Sequence, residues 1–529
     1  MSDMIKYIGL DFGTSYSFLA YKPEGEADPV ILLSDPEQMI KERGIPSLFW
    51  YGRTSEDHDF EIHIGQEAEP ALVNDPANVV TSVKMKIKND EPIVLNGKTF
   101  TAQEIMDRII EYIINNAKKA AEEKYKEFPK PGTAKIVTGV PVSFGSQERE
   151  LIENAIKKQG YEAEFIPEPV AAALNHAKME NEDFTNVLVC DVGAGTFDAA
   201  FLTINTQITP DYPYPYRKLG SDGSNGRETD LAGDAMDKAF ADYIIEHSNN
   251  WTQSQLNKIR DKNSMDYRNF LLRVRKIKER LSPKVSSISE YVPIDGNPVE
   301  IRVTIDDLEK ATKDITSEIA DICYKVVKKC GMLGKSFPII MVGGSCKSPI
   351  IKNALAKRFP KQAEQGQIKL RCPSQAVVMG CTFYAESHEL PHDVNYAYAV
   401  ECFNDETQRQ CLSIEIPAGV KLPYTAESYY LTRHNNQTSI EFRIYEVPGV
   451  TDEDTVEIDK GFYNDIRVIH SFNKPVPRDT KVRCVMELTE SGILNVSISD
   501  NGITNGKTRM EFSRGTVKGS GNYVKKTES

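Results

Sequence analysis

Several things are scarce in this chain of 529 residues, and each absence narrows what it can be. It contains no apolar run of the roughly 18 residues that a membrane-spanning helix needs. From Met1 it passes within a few residues into Tyr7-Ile-Gly-Leu-Asp11, which leaves no room for the apolar core of a signal peptide, so export is not expected. No basic block is present. Lys and Arg number 64 against 77 Asp and Glu, a formal charge of −13. Duplex nucleic acid and anionic membranes need clustered cations to neutralise their phosphates, so neither is the expected partner. Cysteine is sparse, with nine residues, an odd number, and none in C-x-x-C spacing. These read as buried thiols of a cytoplasmic protein rather than as a disulfide framework or a zinc site. What is present is a 40% apolar composition, which rules out disorder for most of the chain. It suffices for three or four core-sized units, or for one large domain with a smaller partner.

The most informative internal signal is a repeat. Ile8-Gly-Leu-Asp11-Phe-Gly13-Thr14-Ser15 runs into an apolar stretch ending at Ala20, and Val187-Leu-Val-Cys-Asp191-Val-Gly193-Ala194-Gly195-Thr196-Phe-Asp198 runs into another ending at Leu202. Each copy is an apolar strand closed by Asp, a Gly/Thr turn and a second apolar strand, which predicts two hairpins and two homologous lobes.

Between and after the hairpins, helical periodicity is clearest from Thr101 to Glu127, where Ile105, Ile109, Tyr112 and Ile113 form a stripe. Further helices are expected at 146–159, 168–179, 231–247, 265–281, 306–329 and 348–359. Alternating strands and helices to about residue 385 predict an α/β domain with a mixed sheet in each lobe. Beyond the polar, proline-containing Glu389-Leu-Pro-His-Asp393 the period changes to two. Ile440, Phe442 and Ile444 alternate with polar residues, as do Val482, Cys484, Met486 and Leu488, and then Leu494, Val496 and Ile498. Turns are expected at Glu490-Ser-Gly492, Asn501-Gly502 and Asn505-Gly506. The expected organisation is an α/β two-lobed nucleotide-binding domain at 1–388, a linker at 389–396, an all-β sandwich at 397–513 and a flexible tail at 514–529.

The turns suggest their ligand. Gly-rich hairpins aim backbone N–H groups at anions, because a missing Cβ lets the chain curl around phosphate. Gly13, Thr14 and Ser15 fit that role, as do Gly193, Ala194, Gly195 and Thr196. Asp11 and Asp191 beside such turns would repel phosphate, which implies an intervening cation. Mg²⁺ touches proteins through few carboxylates and keeps its waters, so these two groups are expected to hold it through water. A third segment, Gly343-Gly344-Ser345-Cys-Lys347-Ser348-Pro349, passes from a buried strand into a helix with Ser348 at the cap position.

Taken in order, Asp11-Phe-Gly-Thr-Ser, Glu168-Pro-Val-Ala-Ala-Ala, Asp191-Val-Gly-Ala-Gly-Thr-Phe-Asp198 and Val342-Gly-Gly-Ser resemble the actin-like ATPase fold. Within it they resemble the DnaK-type seventy-kilodalton heat-shock chaperones. The resemblance continues through Asn436-Gln437-Thr438, Tyr445-Glu446 and Ser491-Gly-Ile-Leu-Asn-Val496, which look like that family's peptide-binding sandwich. It implies ATP or ADP with Mg²⁺, and makes Lys84 the lysine at the γ-phosphate, with Glu168 and Asp198 orienting water and the Mg²⁺ shell. It further implies nucleotide contacts at Tyr16, Gly233, Lys278, Ser282, Gly343, Gly344, Ser345 and Lys347, and an interdomain relay at Pro141 and Arg149. Expected partners are extended or unfolded polypeptide and a co-chaperone or exchange factor.

Three departures stand out. Arg275 occupies a position where the family has Glu, Glu279 and Lys347 replace stacking arginines, and Ser374 replaces an Asp. Weaker nucleotide affinity is therefore expected, by on the order of 1 to 3 kcal/mol. The linker carries one large apolar residue, and only a short tail follows the sandwich, without the family's helical lid. The resemblance implies an ATP-hydrolysing chaperone-like protein. A nucleotide-gated module with little turnover and a dedicated partner is the alternative, and a small-molecule kinase on the same fold leaves the β half unexplained.

Overall fold

A computed structural model describes residues 6–26, 28–33, 44–55, 58–81, 83–86, 92–141, 144, 146–180, 184–205, 216–223, 231–248, 251–262, 264–370, 373–386, 396–404, 409–418, 420–448, 455–457, 464–489, 492–500, 507–513 and 525–527. The chain divides into two compact units, residues 1–142 with 151–388, and residues 143–150 with 389–529.

The first unit contains one sheet topology twice. In the first copy Lys6–Asp11 is the central strand. It runs antiparallel to Tyr16–Tyr21, which pairs with Val30–Ile31, and parallel to Ala134–Val140, which pairs with Glu162–Pro167. In the second copy Phe184–Val192 is central. Phe197–Asn205 and then Tyr216–Gly223 follow on its antiparallel side, and Ile339–Val342 and then Ile368–Leu370 on its parallel side. Numbered by order along the chain, both sheets read 3-2-1-4-5. The hairpin repeated in the sequence is thus the opening of a repeated five-strand unit. Asp11 is the last and Asp191 the penultimate residue of the two central strands, opposite Gly139 and Val342 of the parallel neighbours. Ligands of open sheets gather outside the carboxyl ends of parallel strands where the strand order reverses, and that is where both Asp residues stand.

Helices cover these sheets with the expected stripe. Ala102–Tyr125 begins in a reciprocal capping box between Thr101 and Glu104 and buries Ile105, Ile109 and Ile113. Tyr112, read as part of that stripe, is only partly buried, and its hydroxyl donates to Gln66 Oε1 at 3.1 Å. Two helices, Glu168–Glu180 and Ala376–Glu386, meet backbone to backbone, since a Cβ on Gly380 would lie 1.8 Å from the Ala171 carbonyl oxygen. Gly9 makes the same kind of approach, with a Cβ position 2.6 Å from the Val378 carbonyl oxygen. Only glycine fits at such contacts. They lock the helix that begins at Glu168 against the end of the first central strand.

In the second unit, a six-stranded and a four-stranded antiparallel sheet share one core. Tyr398, Val400, Ile440, Phe442, Ile444 and Val468 enter it from one sheet, and Tyr430, Val482, Cys484, Met486, Leu488 and Leu494 from the other. This is a sandwich, and the period-two residues read from the sequence line its interior. The first strand, Tyr396–Asn404, takes in the last residue assigned to the linker. Within the segment read as a flexible tail, Lys525–Thr527 pairs antiparallel with Tyr429–Leu431. Residues 389–395 of the expected linker and the turns at 501–506 lie outside the described residues. Among the described residues no helix is long and apolar enough to cross a membrane.

Candidate functional site

The site is assembled from the carboxyl ends of the two central strands. Asp11 ends the first, and the turn after it requires glycine, because a Cβ on Gly13 would lie 2.1 Å from the Tyr16 carbonyl oxygen. Hydroxyls hold this turn. Ser47 Oγ donates to the Gly13 carbonyl at 2.8 Å, the Gly13 N–H donates to Ser17 Oγ at 3.3 Å, and the two hydroxyls share a 2.8 Å bond.

The second turn is held differently. The Gly193 N–H donates to the Thr196 carbonyl at 2.9 Å, while the Gly193 carbonyl accepts from the Gly233 N–H at 3.0 Å and from Ser345 Oγ at 2.8 Å. The Asp234 N–H donates to the Ala194 carbonyl at 2.8 Å. The first amides of the helix Gly233–His247 are therefore spent on the turn. Gly233 is buried against it, with a Cβ position 2.3 Å from Ser345 Oγ. Gly343, at φ +84°, presses on Asp191 itself, its Cβ position lying 2.7 Å from Asp191 Oδ1. The Gly-Gly-Ser segment read from the sequence is thus built into the second hairpin's turn.

Between the hairpins, Lys84 lies in the short helix Val83–Lys86 and is buried at 3% exposure. It forms an ion pair with Glu168, the buried first residue of its helix. The two are 84 positions apart in sequence, and Lys86 nearby gives no hint of which lysine turns inward. Asp198 is buried and directly opposes Asp191 across the second hairpin. Burial, and then the nearby Glu168 carboxylate, push the Asp11 carboxyl up to about 7, with Lys84 pulling the other way. Asp191 is pushed well above the carboxylate range by burial and by Glu168, Asp198 and Asp11. For Lys84, burial works against the charge, but Glu168, Asp11 and Asp191 outweigh it and hold the ammonium on. Three carboxylates thus face one ammonium, with Asp198 beside Asp191, an arrangement that favours uptake of a cation. Among the described residues, no three carboxylate, imidazole or thiol groups converge to enclose a metal. A divalent ion here fits if water and ligand oxygens complete its shell, as Mg²⁺ prefers.

Further along, Lys278 is buried and donates to the Gly233 carbonyl at 3.0 Å, with Asp237 Oδ1 at 2.6 Å. Arg275 bridges Asp234 and Asp237, its Nε 2.7 Å from Asp237 Oδ2. Ser282 and Ser345 are partly exposed, and Glu279, Gly344 and Lys347 are exposed. Thr14 is buried, whereas Ser15, Tyr16, Gly195 and Thr196 are partly exposed around the two turns. Ser348 stands at the N-cap of Pro349–Arg358 but makes no side-chain capping bond there, the preceding turn being a 3₁₀ segment, Gly344–Lys347. Pro141 is buried in the first unit, and Arg149 is buried within the stretch 143–150 that groups with the second unit.

Asp234, Asp237, Ser17 and Ser47 escaped the sequence reading. The i,i+3 spacing of Asp234 and Asp237, matched by Arg275 and Lys278, was a signal for the first two. Nothing local marks the serines.

A duplicated sheet pair with carboxylates at both central strand ends, joined to a β-sandwich, defines a class of actin-like ATPases with an added binding domain. Comparison with protein families agrees: the model described as Hsp70 protein matches residues 86–522. The chain belongs to the Hsp70 family. Members of this family are ATPases that bind ATP or ADP with Mg²⁺ and act as chaperones on unfolded polypeptide with co-chaperones. The match begins after Asp11, Gly13, Thr14, Ser15, Tyr16 and Lys84, which lie outside it.

Proposed function

We propose that this protein binds ATP between its two duplicated sheets, hydrolyses it there, and uses the nucleotide to alter the affinity of its sandwich for extended polypeptide. The observation that carries this reading is the cluster of buried Lys84, Glu168 and Asp191 with the partly buried Asp11 at the ends of both central strands. In this reading the turns at Gly13–Tyr16 and Gly193–Thr196 bind phosphate oxygens, with Gly343, Gly344 and Ser345 behind the second. Gly233, Lys278, Ser282 and Lys347 face the nucleoside end. Asp11 and Asp191 hold Mg²⁺ through its waters, and the ion, when bound, neutralises phosphate charge. Lys84 places its ammonium against the γ-phosphoryl oxygens, where charge develops as water attacks. Glu168 and Asp198 orient that water and the hydrated shell. The nucleotide-binding domain is 1–388 and the linker runs from 389 to the first sandwich strand at Tyr396, with Lys525–Thr527 of the tail adding to the sandwich, and the compartment is the cytoplasm.

Pro141 and Arg149 relay nucleotide state to the sandwich, a role supported by the grouping of residues 143–150 with the second unit. The sandwich takes extended segments by main-chain hydrogen bonding and apolar pockets. One observation favours a second reading, a gated module with little turnover. Arg275 is committed to Asp234 and Asp237, and Glu279 and Lys347 are exposed, so a base lacks the stacking cations of the family. Release of a labelled apolar peptide, measured with Mg·ATP and with Mg·ADP, tests the proposal. Faster release in ATP and hydrolysis raised by peptide support the chaperone; rates blind to nucleotide leave the gated module without its gate; nucleotide-dependent release with negligible hydrolysis favours the second reading.

A further inference from the structure

Cys402 and Cys411 face each other directly across the antiparallel strands Tyr396–Asn404 and Arg409–Ile416. Their Sγ atoms are 3.4 Å apart, and the residues are 5% and 8% exposed. Opposed residues in an antiparallel pair have Cα atoms about 4.5 to 5.5 Å apart, inside the range of about 4.4 to 6.8 Å over which a disulfide closes without backbone movement. Small side-chain rotations therefore suffice to join these sulfurs. The other described buried thiols, Cys190, Cys323, Cys346, Cys381 and Cys484, are at most 1% exposed. Burial also pushes the Cys346 and Cys381 thiols well above their usual range, so they are poor nucleophiles. Among the described residues, the strand bearing Cys411 is paired on its outer side with Thr455–Glu457 at the edge of the sheet, with Glu457 opposite Cys411. Pairing near a sheet edge opens locally at lower cost than pairing at its centre, which admits a small oxidant.

We infer that Cys402 and Cys411 form a reversible redox modification site, converted from dithiol to disulfide by a hydroperoxide such as hydrogen peroxide. The more exposed Cys411 sulfur attacks one peroxide oxygen. An S–O bond forms, the O–O bond breaks, and the leaving hydroxide takes up the thiol proton as water. Cys402 sulfur then displaces the sulfenic oxygen. The S–S bond forms, the S–O bond breaks, and a second water carries off the second proton. Two thiols are oxidised by two electrons, one peroxide is reduced, and a thiol reductant reverses the change. The product staples the hairpin across residues 402–411 and fixes the register of two strands of the sandwich.

The full-length protein, treated with hydrogen peroxide, blocked with N-ethylmaleimide under denaturing conditions and mapped by mass spectrometry, tests this directly. The expected result is simultaneous loss of alkylation at Cys402 and Cys411, with a linked species lighter by two hydrogen atoms that dithiothreitol abolishes. Cys402→Ser is expected to leave Cys411 as a sulfenic acid trapped by dimedone. Amide exchange between 402 and 411 is expected to slow at least several-fold in the oxidised wild type. Equal alkylation of both residues before and after peroxide overturns the inference, as does linkage of either to another cysteine or to a second chain. These readouts are blind to ATP hydrolysis, so they stand or fall apart from the proposed function.

Discussion

The two hairpins of the first unit share sequence pattern, strand order and terminal Asp, yet their turns are anchored in different ways. The first is held by two side-chain hydroxyls, Ser47 and Ser17. The second is joined through backbone amides of Gly233 and Asp234 to a helix that Arg275 and Lys278 clamp by ion pairs, and through Ser345 to the separate turn Gly344–Lys347. A duplicated fold thus conserves the place where charge must be offered and leaves its supports free to diverge. The second turn is mechanically continuous with the helix Gly233–His247, whereas the first is tied to the serines around it.

Breaking the clamp should have the largest effect. Asp237→Ala removes a carboxylate that is 1% exposed and strips Lys278 of its partner, leaving a buried charge uncompensated. A loss of about 3 to 4 kcal/mol in the first unit is expected by denaturant unfolding, with Asp237→Asn losing less. Asp11 provides the next test. Its folded-state carboxyl, near 7, lies above the unfolded value of 3.8, so its contribution to stability is fully present below the unfolded value and is lost as pH rises through 7. Without nucleotide or Mg²⁺, raising pH from 5 to 8 should cost the wild type about 2.5 kcal/mol more than Asp11→Asn, read as the difference in their unfolding free energies. Bound Mg²⁺ should reverse that sign by favouring the ionised carboxylate.

The serines separate the hairpins. Ser47→Ala and Ser345→Ala should each cost about 1 kcal/mol, with faster amide exchange confined to 12–17 in the first variant and to 193–198 and 233–236 in the second. Exchange rising in both turns for either variant would erase the comparison. The smallest effect is a gain. Glu279→Arg with Lys347→Arg restores planar cations and should tighten ATP binding by about 1 kcal/mol in calorimetry, with ADP gaining equally.

The hairpins were legible because apolar strand, Asp and Gly/Thr turn recur at a fixed spacing, and the sandwich because its inward residues alternate. The hairpin Ser287–Ile294 with Asn297–Thr304 was missed, although Asp295-Gly296 sits between alternating apolar residues and adopts φ of +52° and +73°. Asn96-Gly97, between Ile93–Leu95 and Lys98–Phe100, was overlooked in the same way. In both hairpins the turn chemistry is present in the sequence. The Lys84–Glu168 pair is different in kind. It joins a four-residue helix to the start of another through tertiary folding, which no local period encodes, and only the family resemblance pointed to it. Ser47 and Asp237 act through contacts that are also remote in sequence, 30 positions to Ser17 and 38 to Arg275, and their roles appear only with the fold.

The central claim is that ATP is hydrolysed at the cluster where the two sheets' central strands end. Phosphate release by the full-length protein in Mg·ATP, beside Lys84→Ala with its ATP affinity measured in parallel, tests it most directly. The account predicts that the variant still binds ATP and that hydrolysis falls about 100-fold or more, as loss of a positioned transition-state cation requires. Equal hydrolysis in the two proteins would contradict it.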